Sequence, residues 1–159
     1  MNFKFINVGI ADLQTALSPD ILRTVLGSCV GVCLYDKDAG VGCLGHIMLP
    51  EINERSTNKK KYADSAIPLM VDEMLAKGAE RGRITAKIAG GSTMFKIGAG
   101  GLMGEIGRNN IKKVKEVLGS MSIRIIAEDT GGDYGRTIDF YTGDGVLKIR
   151  SIGREEKTI

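Results

Sequence analysis

The chain has 159 residues, 43% of them apolar and 26% charged, with a formal net charge of +3. That length suits one domain, here read as 1–159, that can bury a core without metals or disulfides. The weak charge, with Lys59-Lys60-Lys61 as the only basic run, argues against nucleic acid as a partner, and no apolar run reaches the length that direct membrane insertion requires.

Residues 3–8 alternate like a strand and lack the apolar stretch of a signal peptide. Asp12 to Leu22 reads as a polar connection with a turn at Ser18-Pro19-Asp20. Residues 30–35 and 41–48 read as buried strands, and Asp36-Lys37-Asp38-Ala39-Gly40 between them as a hairpin loop. Pro50 to Ala63 is polar. From Asp64 the period becomes helical, with Ile67, Met70, Val71, Met74 and Leu75 on one face; Asp64 or Ser65 can cap the start, and Gly78 or Gly82 can end it. Ile84 to Ala89 is a strand running into Gly90-Gly91.

The glycine-dense stretch 98–107 reads as a structural loop. It has neither a following Gly-Lys-Ser/Thr nor the spacing of a dinucleotide fingerprint. Asn109 or Asn110 then caps a helix carrying Ile111, Val114, Val117 and Leu118. Ser122 to Ala127 is a strand, followed by Glu128-Asp129-Thr130-Gly131-Gly132, where Asp129 can cap a turn or border a site. A closing hairpin has arms at 136–142 and 145–151 around Gly143-Asp144-Gly145. This order predicts an α+β fold: mixed or antiparallel sheets layered with helices packed on one side.

Three cysteines and one histidine carry the candidate chemistry. The odd cysteine count, with no signal peptide, points to free thiols in a reducing cytoplasm. The hairpin folds Cys29, in the Gly27-Ser28-Cys29 turn, back towards His46. A thiol needs a base or a positive environment to become a nucleophile, and His46 is the only imidazole available. Small residues at 27 and 28 allow a sharp turn whose backbone N–H groups can form an oxyanion hole. Thr24 is one nearby hydroxyl that can orient the imidazole; Ser28 or a backbone carbonyl are alternatives. Two other readings compete. Cys29 can be a buried small hydrophobe and His46 a satisfied strand histidine. Cys29, Cys33, Cys43 and His46 can instead be zinc ligands, but there is no Cys-x-x-Cys knuckle, and Cys43 and His46 are three apart, on opposite sides of a straight strand.

Several blocks resemble the CheD family, the chemoreceptor glutamine deamidases of chemotaxis. They are Leu26-Gly27-Ser28-Cys29-Val30-Gly31-Val32-Cys33-Leu34-Tyr35-Asp36, Gly45-His46-Ile47-Met48-Leu49-Pro50, Lys61-Tyr62-Ala63-Asp64, Ala86-Lys87-Ile88-Ala89-Gly90-Gly91, Ile106-Gly107-Arg108-Asn109-Asn110 and Ala127-Glu128-Asp129-Thr130-Gly131-Gly132. The resemblance implies papain-like amidohydrolase chemistry on an unrelated α+β fold, similar to that of deamidating toxins. It carries the nucleophile onto Cys29, the base onto His46 and a third catalytic group onto Thr24, although Arg23 competes for that last alignment. It implies no cofactor. The substrates it implies are glutamine side chains on the cytoplasmic helices of methyl-accepting chemotaxis receptors, with receptor methyl-ester hydrolysis as a side activity. It also implies docking on a CheC-type phosphatase, which would not need catalysis.

Overall fold

A computed structural model describes residues 2–94 and 102–159, so positions 98–101 of the glycine-rich stretch lie outside it. The elements are β1 (Phe5–Asn7), β2 (Leu13–Leu17), β3 (Ile21–Leu26), β4 (Val30–Asp36), β5 (Val41–Ile47), α1 (Ala63–Ala76), β6 (Thr85–Gly90), α2 (Leu102–Ser120), β7 (Arg124–Thr130), β8 (Arg136–Tyr141), β9 (Leu147–Arg150) and β10 (Lys157–Thr158). The strands form two mixed five-stranded sheets, ordered β1-β3-β8-β9-β10 and β2-β5-β4-β6-β7. The fold is α+β, as expected.

The layering follows from side-chain alternation on the two central strands. Val30, Val32 and Leu34 of β4, with Val41, Cys43 and Ile47 of β5, pack against Ile67, Met70, Val71 and Met74 of α1 and Val114 and Leu118 of α2. The intervening residues Cys33 and Leu44 pack against Leu22, Leu26, Ile138 and Phe140 of the other sheet. With both faces covered, these strands read as continuous apolar runs. Both helices therefore lie on one side of the second sheet, and the first sheet covers its other side. Gly45 faces α1, where a Cβ would come within 2.6 Å of the Met70 sulfur.

The β4–β5 hairpin forms as its pattern predicts, pairing Val30 with Ile47 and Asp36 with Val41. The buried Asp36 carboxylate closes it, accepting bonds from the Ala39 and Glu80 amides at 3.2 and 2.8 Å and from the Arg83 guanidinium at 2.9 Å. The closing hairpin of β8 and β9 also forms.

Three sequence expectations are corrected. The stretch from Asp12 to Leu22 is not one polar connection. It holds β2, which lies along β5 at the sheet edge, and the start of β3, with the expected turn at Ser18-Pro19-Asp20 between them. Edge position explains the weak signal: Gln14, Thr15 and exposed Leu17 break the apolar alternation. The second helix does not start at Asn109 or Asn110; α2 already runs from Leu102 and includes Gly104 and Gly107. Gly107 is required there by packing, since a Cβ would lie 2.5 Å from the carbonyl oxygens of both Gly91 and Ser92. Finally, α1 is not capped by Asp64 or Ser65. It begins at Ala63 behind Tyr62 with no side-chain cap. Asp64 instead accepts a bond from the Ile52 amide, and Ser65 donates to the Lys59 carbonyl.

Candidate active site

Thr24 and His46 meet between the two sheets. On β3, Leu22, Thr24 and Leu26 are buried on one face; on the other, Ile21 is buried, Arg23 half-buried and Val25 exposed. Arg23 turns away into an ion pair with Asp139. The alternation therefore selects Thr24 over Arg23 as the inward residue. On β5, His46 shares the Leu44 face, opposite the face of Cys43 and Ile47. Its ring Nδ1 lies 2.8 Å from the Thr24 hydroxyl oxygen. Both residues are buried, with Thr24 4% and His46 2% exposed.

The Thr24 hydroxyl also donates to the Val8 carbonyl at 2.8 Å. A hydroxyl has one proton to give. With that proton committed to Val8, its oxygen accepts from His46, so Nδ1 carries the imidazole hydrogen. Nε2 is then the basic nitrogen, and the ring is held by its other edge. The His46 main chain is held as well, its amide donating to the Asp12 carbonyl at 2.9 Å.

Cys29 lies just before β4. Gly31 pairs directly with His46 across the hairpin, and Cys29 is two residues back, packed against the same inter-sheet cluster. Cys29 and His46 thus lie near the same end of the hairpin, with no side chain at Gly31 between them. A Cβ at Gly31 would meet the end of the Ile138 side chain at 2.8 Å, so that side chain would have to shift.

The turn bearing Cys29 is anchored by its carbonyls. Gly27 O accepts from the Ser92 amide at 3.0 Å and Cys29 O from the Gly91 amide at 2.8 Å. Ser28 O accepts from the Asn110 side-chain amide at 3.1 Å. In a trans peptide, C=O and the following N–H point in opposite directions. The Ser28 and Cys29 amides are therefore directed away from these anchors, as donors to an oxyanion must be.

One of the anchors is itself held by a buried ion pair. The Arg136 guanidinium, 2% exposed, donates to Asp129 at 3.0 Å and to the Ser92 hydroxyl at 2.9 Å. Asp129 also accepts from Lys157 at 3.0 Å, so its carboxylate serves this network. Ser92 and Arg136 carried no signal in the sequence. The Gly90-Gly91 pair was the available one, because positive φ angles of 100° and 71° carry the chain from β6 to Ser92.

Burial sets the resting protonation of the pair. It pushes the Cys29 thiol above its ordinary value and the His46 imidazole below its own. Both shifts favour the neutral forms. Cys33 and Cys43 are fully buried, and burial raises the Cys43 thiol to about 12.

A groove of about 480 Å³ runs between the 49–62 segment and α2, with Leu49, Pro50 and Tyr62 against a rim of Asn109, Lys112 and Lys113. Among the described residues, no helix is long and apolar enough to cross a membrane.

The family model described as CheD chemotactic sensory transduction matches residues 48–151. Relatives extend the match over the part that holds Cys29 and His46. A protein of Caldanaerobacter subterraneus subsp. tengcongensis named probable chemoreceptor glutamine deamidase CheD is 48% identical over 162 residues, covering 100% of both chains. Proteins of the same name from Clostridium novyi and Clostridium kluyveri are 48% and 45% identical, covering 96% and 100% of both chains.

Proposed function

Because the chain belongs to the CheD family, we propose that it hydrolyses glutamine side-chain amides of methyl-accepting chemotaxis receptors to glutamate and ammonia, through a thioester on Cys29. The observation that carries the mechanism is the chain of bonds from Val8 through Thr24 to His46 Nδ1, which leaves Nε2 available as the base.

In the acylation half, His46 Nε2 takes the thiol proton as Cys29 Sγ attacks the amide carbon. The carbonyl π pair moves onto oxygen, which the Ser28 and Cys29 amides stabilise. As the tetrahedral intermediate collapses, the C–N bond breaks and His46 returns its proton to the nitrogen, which leaves as ammonia. In the second half, His46 Nε2 takes a proton from water as the hydroxyl adds to the thioester carbon. Collapse then breaks the C–S bond, the proton returns to sulfur, and glutamate leaves. The thiol and imidazole end as they began, so the cycle consumes only water and needs no cofactor. Thr24 keeps Nδ1 protonated throughout and stabilises the transient imidazolium by accepting its hydrogen. The reaction belongs in the cytoplasm, on the receptor helices exposed there.

The experiment is to incubate the protein with receptor cytoplasmic fragments and follow amide-to-acid conversion by mass spectrometry. Conversion by the native protein, and its loss in Cys29→Ala and His46→Gln, is expected. Undiminished conversion by Cys29→Ala would overturn the mechanism. A Cys29→Ala protein that still binds a CheC-type phosphatase would separate docking from catalysis.

A further inference from the structure

Asn110 is fully buried on the inner face of α2. Its side-chain Nδ2 donates two hydrogen bonds, to Ser28 O at 3.1 Å and to Met48 O at 2.9 Å. Its Oδ1 is buried with no donor. The amide orientation follows from the partners, since the flipped form would set its oxygen against two carbonyls. A buried amide that leaves its oxygen unpaired is a costly space-filler, so packing does not account for it. What it does here is donate twice.

The two carbonyls it joins belong to different arms of the site. Ser28 immediately precedes Cys29, and Met48 follows His46 by two residues. The β4–β5 ladder extends only as far as the Val30–Ile47 pair. Past that pair the strands no longer tie the two segments, and the nucleophile lies on the untied part. One rigid side chain, reaching in from a third element, bridges the gap.

We propose that Asn110 is a positioning residue that sets the distance between Cys29 Sγ and His46 Nε2 by clamping the nucleophile turn to the end of the histidine strand. It touches neither substrate nor the reacting atoms. Its effect is on how often thiol and imidazole are in line for proton transfer, so it bears on turnover more than on substrate binding. The proposal rests on Cys29 and His46 acting as nucleophile and base.

The test uses two variants near Asn in size, with native protein and Cys29→Ala as references. Asn110→Leu removes both donated bonds. Asn110→Asp replaces the amide with a carboxyl group that can donate one bond when protonated and none when ionised. Deamidation of receptor fragments is measured for kcat and KM across pH, and folding of each variant is checked by circular dichroism. For Asn110→Leu the expected result is a kcat lower by roughly 10- to 100-fold, with KM changed by no more than about threefold. For Asn110→Asp the ratio of its kcat to that of the native protein should rise as pH falls and its carboxyl protonates, a response that simple loss of packing would not produce.

A folded Asn110→Leu protein with native kcat overturns the clamp, as does an Asn110→Asp ratio that stays flat with pH. If Asn110→Leu does not fold, the Asn110→Asp ratio alone decides. Activity surviving in Cys29→Ala would instead show that the underlying mechanism is wrong, a failure distinct from that of the clamp.

Discussion

Replacing Thr24 with valine is the sharpest test of how the imidazole is held. The side chains are nearly the same shape, so the change removes a hydroxyl and little packing. Two bonds of 2.8 Å disappear, to Val8 O and from His46 Nδ1–H. Both partners are then buried without a bond, at about 1–3 kcal/mol for each orphaned group. In a chain of this length each kcal/mol lowers Tm by about 2–4 °C, so melting should fall by several degrees while the fold persists. The catalytic loss is separate. Without its acceptor, the ring can rotate or move its hydrogen to Nε2, and an Nε2 that carries a hydrogen cannot take the thiol proton. An orienting bond of roughly 1.4–2.8 kcal/mol corresponds to a 10- to 100-fold fall in kcat. Thr24→Ser keeps the hydroxyl and should retain most of the activity. The assay is steady-state deamidation of receptor fragments by mass spectrometry, beside calorimetric melting. If Thr24→Val melts lower but turns over at the native rate, Thr24 only supports the sheets and its assignment to the mechanism fails.

Three further outcomes follow from the same geometry. The lowered His46 pKa keeps its base form neutral as pH falls below the ordinary value of about 6.5, so the acid limb of kcat/KM should lie below that value; a limb well above it would contradict burial as the dominant effect. The linkage has the same sign. The unfolded chain binds the His46 proton first, so this group's contribution to stability is complete above about pH 6.5 and is lost as pH falls towards the folded pKa. The raised Cys29 thiol predicts that iodoacetamide modification of the native protein climbs with pH through a midpoint above the free-thiol value of about 8.5, and that Cys33 and Cys43 react only after denaturation. A midpoint near neutrality would show a resting thiolate–imidazolium pair. Asp129→Asn leaves the buried Arg136 charge with no carboxylate partner; a loss of about 3–5 kcal/mol in urea unfolding is expected, and a change below about 1 kcal/mol would show that water already solvates Arg136.

The parts of the site that were legible in the sequence are those fixed by short-range patterns. The β4–β5 hairpin needs only alternation and a short loop, here residues 37–40, and those two facts suffice to bring Cys29 and His46 near one end of one ladder. The face of His46 follows from the same period of two, which sets it apart from Cys43. The stripe of α1 was legible for the same reason, except that Leu75 stays exposed on the solvent side. Elements whose reasons lie elsewhere in the chain were not. The edge strand β2 has half its pattern open to solvent. The first turns of α2 look like a loop because glycine at 107 serves the backbone of residues 91 and 92 rather than local propensity.

The sequence by itself determined the chemistry at hand: one thiol in a glycine turn, one imidazole on the returning strand, and the family to which the blocks belong. Tertiary structure decided how that chemistry is held. Whether Thr24 or Arg23 faces the imidazole depends on which side of β3 meets the second sheet, and a one-residue shift would reverse it. That Asn110 bonds Ser28 and Met48 rather than capping the start of a helix depends on where α2 crosses the β4–β5 ladder. Such contacts join residues 22 to 82 positions apart, and a pattern that repeats every two or every 3.6 residues carries no information about which distant partner it will meet.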